Sequence, residues 1–451
     1  MPRPCLPAGA SPHHAAFAGM LTGMTDDLLA RHRAVLPNWM TLYYEQPLEI
    51  VGGSGRRLRG GDGRDYLDFF AGILTNMLGY DVPEVRAAID RVLDRGVVHT
   101  STLYLIRDQV ELAERIARLS GIPDAKVFFC SSGTEANEMA LLLATQARRS
   151  AQVLALRNSY HGRSFAAMGI TGIRGWSASS LSPVQVSYVH GGYRYRSPFR
   201  DLPDAEYNAA CAADLRDVIE STTAGDVACM IAEPVQGVGG FVVPPDGMLG
   251  VMKPILDEYG ILLISDEVQT GWGRTGEHFW GIEAHGVTPD IMTFAKGVGN
   301  GMAIGGVVAR AELMDNLPAN SISTFGGNPL ATAAATATID YVLEHDLQAN
   351  ALKVGNQLLR GLRDLGEDTD AVGDVRGKGL MAAIELVRPG TDTPDVAAAS
   401  KLMEETRARG LLVGKGGKHG NVIRMAPPLT LTEAEADEGL DILADSLRAL
   451  D

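Results

Sequence analysis

The sequence predicts an α/β protein whose core is a mainly parallel sheet covered by helices. The first observation is a set of short, nearly uninterrupted apolar runs in the middle of the chain. These runs are Val127–Phe129, Val153–Leu156, Cys229–Ala232, Ile261–Ser265 and Ile291–Phe294. Strands that are buried on both faces have this composition, as in a parallel sheet that helices cover. The second observation is that helical segments separate the runs, which is the alternation typical of α/β proteins.

Composition limits the possible functions. A chain of 451 residues is long enough for two domains and a large core. The net charge of -15 argues against a nucleic-acid-binding surface, which needs clustered Lys and Arg. No run approaches the ~18 apolar residues that a membrane-spanning helix needs. The four cysteines show no Cys-x-x-Cys spacing, which argues against a disulfide framework or a structural zinc site and favours a cytoplasmic location.

The segments before the sheet are predicted in order. Residues 1–24 lack the pattern of a signal peptide and are predicted to be a disordered leader. Thr25 is the candidate N-cap of a short helix. Alternation of apolar and polar residues over 43–72 indicates small antiparallel strands. Helical periodicity follows over 83–94 and 108–119.

The segments after the sheet alternate helices and strands up to the C-terminus. An alanine-rich helix is predicted over 331–343, just after Asn328-Pro329. The stretch 361–394 is rich in Gly and Asp, so it is predicted to form turns around a small sheet.

Lys296 directly follows the last apolar run and precedes the glycines Gly297, Gly299 and Gly301. A lysine between an apolar wall and bare backbone can lose its hydration. Burial disfavours the ammonium, so the pKa falls below its reference of about 10.4 and the amine becomes a nucleophile able to form a Schiff base. A solvated lysine beside a glycine turn is the alternative that spacing alone leaves open.

Two more motifs follow strands, at the ends where such sheets bind ligands. Ser132, Gly133 and Thr134 open a helix, where N–H groups, hydroxyls and the helix dipole suit a phosphate, although a simple N-cap needs no more than one such residue. Tyr160 follows the next run and can stack on a flat ring, and Arg163 can hold a carboxylate. Core packing is the alternative for Tyr160.

Asp266 and Glu267 are adjacent acids at the end of another strand. Such a pair can bind a metal ion. Adjacent residues on a strand point to opposite faces, however, so a single acid faces the site, which suits a partner for a ring nitrogen better. A phosphate cradle, a stacking aromatic, one acid and a Schiff-base lysine together indicate pyridoxal phosphate.

These motifs resemble those of class III (ω-amino-acid) aminotransferases among the fold-type-I pyridoxal-phosphate enzymes, from about Thr25 to the C-terminus. The resemblance is carried by Ser131–Ala136, Asp266–Gly271, Gly273–Gly276, Ala295–Gly297 and Ser323–Pro329. It implies a large domain with a mainly parallel seven-stranded sheet and a smaller α+β domain built from both termini. The implied ranges are 25–77 for the N-terminal part of the small domain, 78–335 for the large cofactor-binding domain and 336–451 for the C-terminal part.

The resemblance also implies roles for individual residues. Lys296 forms the Schiff base and Asp266 pairs with the pyridine nitrogen. The other implied cofactor-binding residues are Ser132, Gly133 and Thr134 at the phosphate, Gln269 at the ring hydroxyl, Val268 and Tyr160 on the ring faces, His161 beside them, and Thr324 reaching the phosphate from a second subunit. A homodimer with shared active sites follows, and pairing of dimers into a tetramer stays open.

On the substrate side, the resemblance implies that Arg424 binds the α-carboxylate and that Glu233 covers it when an ω-amine binds, with Arg163 as a further carboxylate contact. The stretch Gly410–Gly417 is most similar to the branch that uses alanine or β-amino acids with glyoxylate or pyruvate. The implied reaction is a ping-pong transamination from alanine, β-alanine, 3-aminoisobutyrate or another ω-amino acid to pyruvate or glyoxylate. One departure is Gly79–Pro83, where the family usually has Gly-His and a later His-Pro.

Three alternatives remain at this point. The first is a 4-aminobutyrate or (acetyl)ornithine aminotransferase that uses 2-oxoglutarate. The second is an aminomutase or racemase of the same fold, which would share every cofactor-binding residue. The third is a non-catalytic regulator, which would need an appended basic helix-turn-helix module that the chain before Tyr43 is too short to hold.

Overall fold

A computed structural model describes residues 27–450, so the predicted leader and the candidate cap Thr25 lie outside the described residues. The chain divides into two compact units, the first ending at Glu49. The first unit contains one helix in its described part, Leu28–Val35 (α1). Asp27 caps this helix, because its carboxylate accepts a hydrogen bond from the N–H of Leu29 at 3.0 Å.

The second unit begins at Ile50 and contains the strands and the other helices. The strands are Ile50–Ser54 (β1), Arg57–Gly60 (β2), Asp65–Asp68 (β3), Ala125–Cys130 (β4), Gln152–Leu156 (β5), Gln185–Val189 (β6), Cys229–Ala232 (β7), Leu262–Asp266 (β8), Ile291–Phe294 (β9), Gly305–Arg310 (β10), Val372–Lys378 (β11), Met381–Leu386 (β12), Leu411–Leu412 (β13), Gly414–Gly416 (β14) and Val422–Met425 (β15). The right-handed α-helices after α1 are Pro83–Asp94 (α2), Arg107–Leu119 (α3), Gly133–Arg148 (α4), Phe165–Gly169 (α5), Asp204–Thr222 (α6), Met248–Glu258 (α7), Ala311–Met314 (α8), Pro329–Glu344 (α9), Leu347–Glu367 (α10), Val396–Ala408 (α11) and Glu433–Arg448 (α12). Short 3₁₀ turns cover Arg174–Trp176, Arg194–Arg196, Gly281–His285 and Lys296–Gly299.

The central sheet has seven strands in the order β4-β10-β9-β8-β7-β5-β6, which confirms the predicted sheet. Only β10 runs against its neighbours β4 and β9. The five apolar runs correspond to β4, β5, β7, β8 and β9. The sequence did not reveal β6, a half-exposed edge strand, or β10. Strand β10 begins with glycines because a Cβ at Gly306 would lie 2.5 Å from the ring of Phe294.

Two smaller sheets lie outside the central sheet of the second unit. One has the order β1-β2-β3-β13, in which the early strand β3 pairs in parallel with the late strand β13. The other, β11-β12-β15-β14, is antiparallel throughout. Both ends therefore contribute to the smaller α+β part, as predicted. The residue boundaries of the two domains stay a prediction.

The predicted helices over 83–94, 108–119 and 331–343 are confirmed as α2, α3 and α9, each within two residues at either end. The prediction of turns from 361 onward is wrong at its start, because α10 continues to Glu367. Gly361 serves close packing rather than a turn: a Cβ there would lie 2.4 Å from the side chain of Leu440 on α12. Among residues 27–450, no helix combines the length and the apolar composition that crossing a membrane requires.

The predicted functional motifs lie at one edge of the central sheet. Six of its strands, β4 to β9, run in the same direction, so their carboxyl ends meet at this edge. The residues that directly follow the ends of β4, β5, β7, β8 and β9 are Ser131, Arg157, Glu233, Glu267 and Ala295. Ligands bind at this edge in open α/β sheets.

Candidate active site

A cavity of about 420 Å³ opens at this edge of the sheet. Eleven of the residues singled out from the sequence line it: Ser132, Gly133, Thr134, Tyr160, His161, Arg163, Glu233, Asp266, Val268, Gln269 and Lys296. Two others, Thr324 and Arg424, are not among the described residues that line it. The sequence motifs therefore converge in space, and the volume suits a small cofactor together with a small substrate.

Lys296 lies where β9 ends and the backbone turns. Its φ is +52°, a left-handed value that begins the 3₁₀ turn ending at Gly299. The side chain is half-buried, and it lines the cavity. Burial, with a smaller contribution from the charge of Arg424, lowers the pKa of the amine to about 8 against the opposing charges of Asp266 and Glu233. The predicted desolvation of this lysine is thus present, and a large fraction of the amine is neutral near pH 8.

Asp266 is held rigidly at the end of β8. Its Oδ2 accepts a hydrogen bond from Nδ2 of Asn137 at 2.8 Å and lies 2.8 Å from Nδ1 of His161. Its Oδ1 accepts from the N–H of Val268 at 3.1 Å. Because the carboxylate is buried and bonded on both oxygens, its orientation toward the cavity is fixed.

Glu267 points away from the cavity and is fully buried. Its carboxylate accepts hydrogen bonds from the N–H groups of Gly281 at 2.9 Å and Ile282 at 2.8 Å, and from the hydroxyl of Thr270. Burial raises its pKa to about 7, and these hydrogen bonds oppose the rise. Glu267 therefore caps the turn at Gly281, and of the two adjacent acids only Asp266 lines the cavity. This confirms the argument from strand alternation.

The N-terminus of α4 forms another part of the wall. Gly133 and Thr134 are its first two residues, whose N–H groups have no acceptor inside the helix. The hydroxyl of Ser132 donates to Glu135 at 3.0 Å, and that of Thr134 accepts from the N–H groups of Arg163 and Ser164 at 3.2 and 3.1 Å. The hydroxyl of Ser132 is therefore engaged as a donor, whereas that of Thr134 keeps a hydrogen to donate, so this hydroxyl and the N–H groups are what the helix end offers to an anion.

Glycine at position 133 is required by close packing. A Cβ there would lie 3.0 Å from Cγ1 of Val268, whose side chain also lines the cavity. Tyr160 is half-buried on the same wall, and its ring is packed edge-on against Trp176 at 5.5 Å between centroids. Among the described residues that line the cavity, two have a buried polar side-chain atom without a hydrogen-bond partner: Oε1 of Gln269 and Nε2 of His161. Such atoms indicate that a polar ligand completes the site.

The charged residues of the substrate side lie at different depths. Arg163 is exposed on the cavity wall, whereas Glu233 is buried and accepts hydrogen bonds from the N–H groups of Tyr160 and Gly237, both at 2.8 Å. Burial raises the pKa of Glu233 to about 7, and the charge of Asp266 adds to the rise. Both carboxylate oxygens of Glu233 are thus held by backbone.

Arg424 is also buried, on β15. The carbon of its guanidinium lies 5.0 Å from the ring centroid of Phe70 and 5.4 Å from that of Phe241. Its Nη1 and Nη2 donate to the carbonyls of Gly237 at 3.1 Å and Lys415 at 3.0 Å. Thr324, in contrast, is exposed on a loop between β10 and α9. The structure thus places Arg424 beside the site and Thr324 on the surface of its own subunit.

Some cavity residues were missed in the sequence. Asn137 is one of them, and a signal was present, since it lies four residues after Gly133 and therefore on the same helix face. Thr75, Met302 and Ile304 are others. No local pattern points to Thr75, which reaches the cavity through a left-handed turn just before it.

The residues of this wall fit pyridoxal phosphate. Free N–H groups suit its phosphate, a buried acid suits its ring nitrogen, an amide and an aromatic ring suit its pyridine, and the neutral lysine suits its aldehyde. The fold and the site together define a pyridoxal-phosphate-dependent enzyme of fold type I.

The chain matches the family model "Aminotransferase class-III" over residues 43–447, and it belongs to this family of pyridoxal-phosphate-dependent transaminases. It is 40% identical over 416 residues to alanine–glyoxylate aminotransferase 2 homolog 2, mitochondrial, of Arabidopsis thaliana, covering 91% of this chain and 85% of the relative. It is 34% identical to an alanine/serine racemase of Pyrococcus horikoshii, covering 89% and 86% of the two chains. An amine transaminase from an uncultivated Pseudomonas species, solved in its PLP-bound form, superposes with a TM-score of 0.83 at 33% identity, covering 90% and 94%.

Proposed function

We propose that this transaminase moves an amino group from alanine, β-alanine, 3-aminoisobutyrate or another ω-amino acid to pyruvate or glyoxylate in a ping-pong cycle. The observation that carries the proposal is one cavity wall that holds Lys296 and Asp266 together with Arg163 and Glu233. The first pair supplies the proton chemistry of transamination. Arg163 supplies a positive charge for a substrate carboxylate, and Glu233 supplies a negative charge on the same wall.

Pyridoxal phosphate, once bound, supplies an electron sink for the substrate carbanion. Asp266 keeps a proton on the ring nitrogen, because its carboxylate is buried, oriented and within the cavity wall. The amine of Lys296, whose pKa is lowered to about 8 chiefly by burial, would accept the proton that leaves the substrate carbon bearing the amino group, which is Cα in alanine and the terminal carbon in β-alanine.

The remaining roles concern binding. The N–H groups of Gly133 and Thr134, at the helix end that Ser132 caps, hold the phosphate, and Thr324 reaches it from a second subunit. Val268 and Tyr160 cover the two ring faces. Gln269 contacts the ring hydroxyl, and His161 binds beside it, which would give a partner to the buried polar atom of each that lacks one within residues 27–450.

On the substrate side, Arg424 binds the α-carboxylate and Arg163 is a further carboxylate contact. Glu233 supplies the negative charge near Arg424 while an ω-amine without an α-carboxylate occupies the site. Support comes from Gly237, whose N–H donates to Glu233 and whose carbonyl accepts from Arg424. The two charged side chains are therefore joined through the backbone of one residue.

The proposed assembly is a homodimer with shared active sites. Support comes from the exposure of Thr324 and from its neighbours Ile322 and Phe325, which are 57% and 61% exposed although apolar. A cytoplasmic location is proposed from the cysteines: Cys130, Cys211 and Cys229 are buried free thiols. The Arabidopsis relative is described as mitochondrial, so fractionation of cells that express the full chain, tagged at its C-terminus, decides the location.

A racemase of the same fold is the second candidate, favoured by the similarity to the alanine/serine racemase. The experiment is a panel of donors against pyruvate, glyoxylate and 2-oxoglutarate, using L-alanine, β-alanine, 3-aminoisobutyrate, 4-aminobutyrate and ornithine. We expect turnover of β-amino acids only when pyruvate or glyoxylate is present, and net turnover of L-alanine only with glyoxylate, because L-alanine and pyruvate regenerate each other. Inversion of L-alanine without an oxo acid would establish the racemase instead, and a need for 2-oxoglutarate would establish the 4-aminobutyrate or ornithine reaction.

The role of Lys296 has its own test. Borohydride reduction of the holoenzyme followed by peptide mapping should place the cofactor on Lys296. The Lys296→Ala protein should lose the yellow absorbance of the bound cofactor and several orders of magnitude of activity. Lys353→Ala, which removes a surface lysine paired with Glu433 at 2.6 Å, should keep both. A label on another lysine would contradict the assignment.

A further inference from the structure

The segment between β3 and α2 contains an unusual left-handed turn. Four successive residues, Ala71–Leu74, have φ values of +48°, +63°, +67° and +62°. Only one of them, Gly72, is a glycine, and Ile73 is β-branched. Side chains rarely adopt this backbone region, because Cβ approaches the carbonyl oxygen. Such a turn persists only where surrounding contacts hold it.

Asp68 and Tyr80 close this segment at its two ends. Asp68 is buried, and its Oδ1 accepts from the N–H groups of Phe70 at 2.8 Å and Ala71 at 3.1 Å, at the base of the turn. Its Oδ2 accepts from the phenol of Tyr80 at 2.5 Å. The backbone of Tyr80 is fixed as well, since its N–H and carbonyl pair with Gly55 at 2.7 and 3.0 Å.

The residues after the turn bind the loop that carries Lys296. The carbonyl of Thr75 accepts from the N–H of Gly301 at 3.0 Å. The side chain of Asn300 accepts from the N–H of Leu78 at 2.8 Å and donates to the carbonyl of Gly79 at 3.2 Å. The position of this segment therefore sets the position of the lysine loop.

The residues before the turn bind the strand that carries Arg424. The carbonyl of Phe69 accepts from the N–H of Ala426 at 2.6 Å. The ring of Phe70, whose N–H is bonded to Asp68, covers the guanidinium of Arg424 at 5.0 Å. One strained segment thus contacts both the loop that carries Lys296 and the arginine proposed to bind the carboxylate.

We propose that Asp68 and Tyr80 are positioning residues that hold the left-handed turn and thereby set Arg424 relative to Lys296. Neither lines the cavity within the described residues, so both act through Phe70 and the segment 75–79. The proposal rests on the proposed role of Arg424 at the α-carboxylate. It also explains the departure at Gly79–Pro83: Tyr80 stands in the family's usual histidine position and reaches inward to Asp68.

The test begins with Tyr80→Phe, which removes one hydroxyl and keeps the ring that packs against Gly53. We expect the KM for L-alanine and for the oxo acid to rise about tenfold while kcat changes less than twofold. Hydrogen exchange should become faster in residues 69–79 of both apoprotein and holoenzyme, and stay unchanged in α2. Asp68→Asn keeps an acceptor for the turn and a partner for Tyr80, so its KM should rise less than threefold.

Tyr207→Phe is the matched control. Tyr207 is another buried tyrosine, which lies on α6. Its phenol donates to the carbonyl of Gly191 at 2.7 Å. It should leave KM and exchange in 69–79 at wild-type values. The proposal is overturned if Tyr80→Phe leaves both the KM and the exchange in residues 69–79 unchanged. It is also overturned if kcat and cofactor content fall as KM rises, as in a general loss of folded protein.

Arg424→Lys distinguishes a failure of the proposed role of Arg424 from a failure of the positioning role of Asp68 and Tyr80. If this variant keeps the wild-type KM for L-alanine, the proposed role of Arg424 is wrong. Exchange in residues 69–79 of Tyr80→Phe then still decides whether Asp68 and Tyr80 hold the turn, because that measurement needs no substrate.

Discussion

Asn137 donates from Nδ2 to Oδ2 of Asp266 at 2.8 Å, and its own Oδ1 accepts from the hydroxyl of Thr293 at 2.8 Å. The amide is therefore held by one strand while it holds the acid at the end of the next. A carboxylate that pairs with a ring nitrogen must keep a fixed orientation toward that nitrogen, because charge-assisted hydrogen bonds depend on geometry. Asn137 supplies that constraint from α4, the helix whose first turn is proposed to bind the phosphate.

We expect Asn137→Ala to weaken cofactor binding by about tenfold or more, since a hydrogen bond to a charged group contributes about 1.5–3 kcal/mol. Titration of the apoprotein followed by absorbance measures this. Asn208→Ala is the control, because Asn208 is also buried and donates to the carbonyl of Asp246 at 2.9 Å, elsewhere in the unit. A similar loss of affinity in both variants would show that general destabilisation, not the contact with Asp266, is responsible.

The two adjacent acids should respond differently to substitution. Asp266→Asn should remove most activity while the unfolding temperature of the apoprotein stays near the wild-type value. Glu267→Ala should lower the free energy of unfolding by about 3 kcal/mol, because the buried donors of Gly281, Ile282 and Thr270 lose their acceptor at about 1–3 kcal/mol each. Thermal unfolding and activity of both apo and reconstituted variants measure this. The reverse pattern would mean that the faces were assigned wrongly.

The contrast between these acids shows what a sequence can predict. Strand alternation separates Asp266 from Glu267 without any knowledge of the partners of Glu267. The motifs around Ser132, Tyr160 and Lys296 could be placed together for a similar reason, since each directly follows a strand of one parallel sheet. Local pattern was sufficient because the sheet itself aligns the strand ends.

Other features depend on contacts between distant parts of the chain, which local pattern does not contain. The hydroxyl of Thr134 accepts from the backbone N–H groups of Arg163 and Ser164, which restricts the directions in which its own hydrogen can point. Thr75 reaches the cavity through a left-handed turn that Asp68 stabilises from β3. Arg424 lies between Phe70 and Phe241, from two different segments, and no periodicity in its own strand indicates this.

The dimer prediction concerns Thr324, which is exposed and outside the cavity of its own subunit. If it completes the phosphate site of a second subunit, Thr324→Ala should weaken cofactor binding severalfold. The holoenzyme should also resist dissociation better than the apoprotein, because a ligand that binds only the dimer stabilises it by mass action. Cofactor titration and sedimentation velocity of both forms measure these effects.

Ser321→Ala is the control for Thr324, since Ser321 is an exposed hydroxyl on the same loop. It should keep both cofactor affinity and assembly. A holoenzyme that is active as a monomer, or a Thr324→Ala protein with wild-type affinity, would contradict the shared site.

Glu233 and Arg424 are joined through Gly237, whose N–H lies 2.8 Å from Oε2 of Glu233 and whose carbonyl lies 3.1 Å from Nη1 of Arg424. An ω-amine brings no α-carboxylate to this place, so a negative charge on Glu233 should favour that half of the cycle. An α-amino acid brings its own carboxylate, which makes the charge of Glu233 unnecessary there. Substitution of Glu233 should therefore affect the two half-reactions unequally.

Burial raises the pKa of Glu233 to about 7, so its charge develops as the pH rises through that value. We expect the ratio of the single-turnover rate with β-alanine to that with L-alanine to rise about tenfold from pH 6 to pH 8, which corresponds to about 1.4 kcal/mol. Titration of Lys296 changes both rates and cancels in the ratio. Glu233→Gln should hold the ratio at its low value, whereas Glu267→Gln, which alters a buried carboxyl whose pKa is also about 7 but which points away from the cavity, should keep the rise. If Glu233→Gln slows both half-reactions equally, Glu233 acts only through its hydrogen bonds to Tyr160 and Gly237, and the charge plays no part in choosing the substrate.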